Sequence, residues 1–348
     1  MDRTRRAMLS MLALGGLAAV GSRMAEAQGP RRLLPDPTKD DLDHRGGQSG
    51  ADLRRFAGDV RIGAAQPHGQ LLVFWLHGRP GAPLEIATLD EARGRGQLTI
   101  TERDQARVPD LVVDNRGKTH ALLLAGEILV GGKQNRVLGE DLLLPPLSGP
   151  RSVGVYCVEA RRWNEGPREF DSKGSFAAPG LRSQVLSRAG QGRVWSEVDR
   201  YAREAAAPSP TASFQAVYDK TEVRAHVEAT ERGLPAPGQA LGAAVFVGGR
   251  LTGIDLFHDP GLFARLWPKL LRAHALEAYG RSTRGGGLVG HGEGAGRARL
   301  RDLLAGIVTA EGQTRGNAGV GHLFEFPLSH YRGAALLFEG RVPHLVLA

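Results

Sequence analysis

Residues 119–136 read THALLLAGEILVGGKQNR. The apolar run at 121–125 is short and ends at Gly126, the pattern of a buried strand rather than a helix. Glu127 follows at once, and Gly131 and Gly132 lead directly into Lys133, Gln134, Asn135 and Arg136. A chain that leaves a buried strand and presents such a series is arranging charge and hydrogen-bond donors around something.

Similar short β-type runs flank this stretch at residues 71–76, 84–87, 98–101, 111–113, 142–144 and 153–158, separated by Gly, Pro and Asp signals. The period then changes. Val194, Trp195, Val198, Tyr201, Ala202 and Ala205 recur at helical spacing, which predicts an amphipathic helix over 193–206 ended by Pro208 and Pro210. Further helices are expected over 213–231, from Asp259-Pro260 onward with a kink at Pro268, and around 299–309. Strands and helices are thus partly segregated. That argues an α+β fold, with a mainly antiparallel or mixed sheet in the N-terminal half and helices plus β-hairpins in the C-terminal half. One echo links two of those hairpins: AAVFVGGRLTGIDL at 243–256 aligns without gaps on AALLFEGRVPHLVL at 334–347. This places two hairpins in one sheet, with similar turn chemistry explaining the likeness more simply than duplication.

The chain has 348 residues, 41% of them apolar, enough for a sizeable core. Residues 1–27 read as a signal peptide: Arg3, Arg5 and Arg6 precede an uncharged stretch, and Ala25-Glu26-Ala27 supplies a cleavage site before Gln28. The Arg5-Arg6 pair is of the twin-arginine type, so export to a periplasmic or extracellular compartment is expected, without a permanent membrane anchor. Residues 28–52 read as a disordered mature N-terminus. Folding is expected from Leu53, as a single domain over 53–348 divisible into a β-rich 53–190 and a 191–348 part with helices and the two hairpins. Loss of the leader removes four arginines and two acids and lowers the net charge from +8 to +6. The arginines are scattered, which argues against a nucleic-acid partner. Cys157 is the lone cysteine, so no intramolecular disulfide forms, and it reads as buried and inert.

Val153, Val155, Cys157 and Glu159 alternate along a strand and share a face, with Arg162 and Trp163 at its end. A buried acid needs a cation, so Arg136, Lys133 or Arg162 is the expected partner of Glu127 or Glu159. Gln134 stands where a phosphate loop would carry Ser or Thr, which excludes that motif. Gly285, Gly287 and Gly290 have dinucleotide-type spacing but follow no strand. His258, His322, His330 and His344 show no metal spacing, no metal site is expected, and no GxSxG elbow is present.

Three segments, GEILVGGKQNRVL at 126–138, VYCVEARRW at 155–163 and QGRVWSEV at 191–198, together with TLDEA at 88–92, resemble the ADP-ribosylglycohydrolase and rhodanese-phosphatase-superfamily-associated protein family. The family is uncharacterised, and the resemblance implies a link to ADP-ribose or nucleotide metabolism by association only. It offers positions rather than roles: Glu127, Lys133, Gln134, Asn135, Arg136, Cys157, Glu159, Arg162, Trp163, Gln191 and Trp195. Two readings follow. One is an enzyme or binder acting on a small anionic ligand, with Glu127 and Glu159 as candidate acid and base and with Lys133, Gln134, Asn135, Arg136, Arg162, Trp163, Gln191 and Trp195 as ligand contacts. The other is a non-catalytic exported binding or structural domain whose motif charges form an internal ion-pair network. Cofactor and protein partners are unknown from sequence.

Overall fold

The computed structural model describes residues 39–103, 109–162, 168–283 and 292–348, with side chains from residue 49 onward. The leader, Trp163 and the glycines at 285, 287 and 290 lie outside the described residues. The chain opens with α1 (Lys39–Gly58), then the hairpin of β1 (Arg61–His68) and β2 (Leu71–His77). A long insert follows: β3 (Ile86–Thr88), α2 (Leu89–Gly94), β4 (Leu98–Thr101), β5 (Asp110–Asn115), β6 (His120–Leu123), β7 (Glu127–Gly131), β8 (Arg136–Leu138), β9 (Leu142–Leu144), β10 (Pro150–Cys157) and β11 (Phe170–Phe176). The insert ends with α3 (Pro179–Leu186), α4 (Gln191–Glu204), α5 (Gln215–Asp219) and α6 (Thr221–Gly233). The chain closes with β12 (Gly242–Val247), β13 (Arg250–Phe257), α7 (Pro260–Thr283), α8 (Glu293–Val308), β14 (Gln313–Arg315), β15 (His322–Leu328), β16 (Tyr331–Phe338) and β17 (Arg341–Leu347). The class is α+β, and among the described residues every strand pair is antiparallel except β3 with β6.

The frame is an eight-stranded sheet in the order β1-β2-β12-β13-β17-β16-β15-β14. Alternation along these strands splits the apolar residues between its faces. Val73, Trp75, Val245 and Leu336 point to α7 and the insert, while Phe74, Phe246, Phe324 and Leu337 point to α1 and α8. Both aligned hairpins lie in this sheet, and their registers obey the alignment. Ala243 faces Asp255 as Ala334 faces Val346, and each hairpin is irregular at the same place, after Val245 in one and Leu336 in the other. The two four-stranded meanders meet through β13 and β17, where Ile254 faces Leu347 and Leu256 faces Leu345. That register is the one a twofold axis through the Asp255–Val346 pair demands.

Within the insert, six strands run in the order β11-β7-β8-β10-β5-β4. The long strand β10 turns the corner, pairing with β5 through Pro150–Gly154 and with β8 through Val155–Cys157. The two ends of the row then meet, through a Thr101–Glu169 bridge and a hydrogen bond from the Glu102 amide to the Arg168 carbonyl at 3.0 Å. The result is a small barrel filled by Leu98, Ile100, Leu111, Val113, Leu129, Leu138, Val153, Val155 and Phe170.

Some boundaries differ from those expected: α4 starts at Gln191 rather than at 193, and α8 at Glu293 rather than at 299. The first described element, α1, starts at Lys39, ahead of Leu53, and Leu53 and Ala57 near its end are buried against the sheet. The segment 213–231 is two helices, since Lys220 is extended (φ −64°, ψ 129°) and breaks it. Asp259 caps α7 as expected, its Oδ1 accepting the Leu262 amide at 2.8 Å, and the helix continues through Pro268 to Thr283. Among the described residues no helix is long and apolar enough to cross a membrane.

Candidate functional site at the barrel mouth

The β7–β8 turn forms one lip of the barrel. Gly131 (φ +144°) and Gly132 (φ +50°) are in conformations that disfavour a side chain. There is also no room for one: a Cβ at Gly132 would meet the Phe170 ring and lie 2.7 Å from Glu102 Oε1. The glycine pair therefore serves close packing, and it leaves backbone groups free to bind side chains. The Lys133 amide donates to Glu102 Oε1 at 2.8 Å, and the Gly131 amide to Asn135 Oδ1 at 3.1 Å.

The second motif closes onto this turn through Arg162. Its guanidinium donates to Glu159 Oε2 (Nε, 2.9 Å), to the Gly132 carbonyl (2.7 Å) and to Asn135 Oδ1 (3.1 Å). Glu159 Oε2 also accepts the Asn135 amide at 3.0 Å. Burial pushes the Glu159 carboxyl up, but Arg162 and the hydrogen bonds outweigh it and hold it below the usual range. The expected Glu159–Arg162 pairing is therefore present, and Glu159 is a committed anion.

The third motif completes the cluster. Gln191, the first residue of α4, behaves like an extra strand residue: its Nε2 donates to the Cys157 carbonyl at 2.7 Å and its Oε1 accepts the Cys157 amide at 2.9 Å. The Cys157 thiol in turn donates to Gln134 Oε1 at 3.2 Å. The three motifs thus meet through direct hydrogen bonds. Burial pushes the Cys157 thiol up to about 11, so it stays protonated and unreactive. Trp195 is half-buried on α4, with its indole Nε1 unpartnered among the described residues.

Arg136 is the unusual member. It shares a face of β8 with Leu138 and so points into the end of the barrel, opposite Cys157. It is 1% exposed, and all its hydrogen bonds leave from Nη1, to the Gln134 carbonyl (2.9 Å), the Asn135 carbonyl (3.4 Å) and Gln134 Oε1 (3.4 Å). Nε is buried without an acceptor, and the side chain makes no ion pair among the described residues. Burial lowers its pKa, with Glu102 and Glu159 opposing at longer range. The Nε–Nη2 edge, the one suited to a two-oxygen acceptor, is unused.

Glu127 does not join this cluster. It starts β7, at the far end from the Gly131–Gly132 turn, and pairs with none of the cations expected for it. Its Oε1 lies 2.7 Å from Nζ of Lys269 on α7, and its Oε2 accepts the Leu124 amide at 2.9 Å. Lys269 also holds Asp90 at 2.7 Å and Ser172 Oγ at 3.2 Å. Burial pushes the Glu127 carboxyl up, and the negative charge of Asp90 adds to this, so that Lys269 does not bring it down. At Lys269 burial works downward, and the two carboxylates more than offset it. The signal for this partner is a lysine set among Leu266, Leu270 and Leu271 on an apolar helix face.

A second sealed network lies beside it. His344 Nδ1 is 2.6 Å from Asp141 Oδ2 and its Nε2 3.0 Å from Asp255 Oδ1, while Arg182 pairs with Asp255 at 2.7 Å. Asp141 Oδ1 accepts the Ala125 amide and Arg182 Nε donates to the Ala125 carbonyl, so this network clamps the turn before Glu127. TLDEA finds its role here too: Thr88 and Glu91 form a capping box on α2, Asp90 reaches Lys269, and Glu91 reaches Arg265 at 2.7 Å. Among the described residues no group of His, Cys, Asp and Glu is placed to hold a metal.

A family model, the ARG and Rhodanese-Phosphatase-superfamily-associated Protein domain, matches residues 59–348. The chain belongs to that family. The match takes in the frame from β1 onward, the whole insert and all three motifs, so the barrel mouth belongs to the family domain. No curated protein and no solved structure matches the chain.

Proposed function

We propose that the protein is an exported binding domain for a small anionic ligand, held at the barrel mouth by Arg136. The observation that carries this is a fully buried guanidinium with, among the described residues, no carboxylate partner and an unused donor edge. Burying a charge unpaired costs several kcal/mol, and an oxyanion on the Nε–Nη2 edge removes that cost. Binding is favoured over acid–base catalysis because both candidate acids are committed, Glu127 to Lys269 and Glu159 to Arg162. Those two pairs support the internal-network reading for themselves; Arg136 stands outside it. The family name associates the domain with ADP-ribosyl chemistry, which favours a phosphate-bearing ligand, whereas export separates it from the intracellular nucleotide pool.

The test is thermal-shift screening of the full chain against phosphate, sugar phosphates, nucleotides, ADP-ribose and carboxylates. At least one anion raises the melting temperature, and Arg136→Met weakens its binding by about 1.5–3 kcal/mol while leaving the ligand-free protein as stable or more so. If no anion binds, or if Arg136→Met unfolds the protein, the guanidinium is structural.

A further inference from the structure

A groove of about 600 Å3 opens where the insert meets the C-terminal meander. Its walls carry Glu140 and Asp141 from the turn after β8, Arg188 just past α3, Glu311 ahead of β14, Glu325 of β15 and Arg332 of β16. Most of this charge is already paired in an alternating row. Glu140 binds Arg315 at 2.7 Å, Arg315 binds Glu325 at 2.9 Å, and Glu325 binds Arg188 at 2.6 Å. Asp141 is taken by His344. Two groups of opposite sign remain: Glu311 and Arg332 are exposed, and neither side chain has an ion pair or hydrogen bond among the described residues.

A ligand that satisfies both brings one charge of each sign.

We propose that this groove binds a small zwitterion, an α-amino acid or short peptide, with its carboxylate toward Arg332 and its ammonium toward Glu311. A purely anionic ligand leaves Glu311 unmatched and faces Glu140 and Glu325 as well. The site is separate from the barrel mouth and does not depend on it.

Isothermal titration calorimetry of the full chain with the free amino acids and alanyl-alanine tests this, followed by N-acetyl and C-amide forms of each binder. At least one zwitterion binds, and capping either end weakens it about 10-fold or more, the scale of one lost charge-assisted hydrogen bond. Glu311→Ala and Arg332→Ala each weaken the uncapped ligand by a similar factor without changing the melting temperature, and Arg136→Met leaves it unaffected. Absence of binding by every zwitterion, equal binding of the capped forms, or binding that survives both charge substitutions overturns the proposal.

Discussion

His344 bridges two buried carboxylates, and its charge state sets how that cluster responds to pH. Burial alone would lower its pKa, but Asp141 and Asp255 outweigh burial and raise it above the ordinary histidine value. A raised folded pKa means that the stabilisation is fully present below about 6.5, the unfolded value, and is lost as pH rises through the folded value. Asp255 has the opposite sign. Burial would raise it, yet Arg182 and His344 hold it well below the carboxylate range, so its contribution is present above about 3.9 and is lost as pH falls. Neighbouring His274, pulled down to about 4 by burial, also loses stability as pH falls below the unfolded histidine value, but it is common to any pair of variants differing at 344. The destabilisation by His344→Gln is therefore largest near pH 6 and shrinks toward pH 9. Urea titrations of both proteins at the two pH values measure it, and a penalty independent of pH means that the imidazole is not charged in the fold.

At the scale of elements, Lys269 ties α7 to β7 and α2 at once, through Glu127 and Asp90. Removing it strands a fully buried carboxylate, so Lys269→Met is expected to cost about 3–5 kcal/mol. Adding Glu127→Gln removes the stranded charge and recovers a large part of the loss, which denaturant unfolding of the single and double variants reads directly. Many of these elements were legible beforehand. β4 and β9 fall on the expected residues because two-residue alternation and Gly or Pro punctuation act locally, and α4 shows because Val194, Val198 and Tyr201 line one buried stripe. What local pattern does not carry is partnership. Arg162 beside Glu159 is three residues away and could be guessed, whereas Lys269, Arg182 and His344 reach their acids across the whole chain. Barrel closure was hidden for the same reason: Thr101 and Glu169 meet only after β10 turns its corner. α3 carries little local signal because its apolar burial rests on Leu181 and Val185, and α1 because Leu42 is the lone apolar residue in its first half, among charged residues and glycines.

At the scale of the molecule, one core joins frame and insert: Ile86, Leu122, Leu124, Leu143 and Phe176 pack with Trp75, Phe263 and Trp267. A chain built this way acquires its structure as a unit, which suits a route that carries folded proteins. Lysine in place of both Arg5 and Arg6 is expected to strand the precursor in the cytoplasm, as followed by cell fractionation and by the size of the protein; undiminished export points to general secretion instead. The twofold register through Asp255 and Val346, the matched irregularities and the gap-free alignment favour duplication over independent hairpins as the origin of the frame. It also means that the scaffold has two equivalent ports. In the first meander the connection from β2 to β12 opens into the whole barrel and its helices; in the second, the corresponding connection from β15 to β16 is only Ser329 and His330. That short turn is an unfilled socket, where evolution or an engineer could plug in a second module without redrawing the sheet.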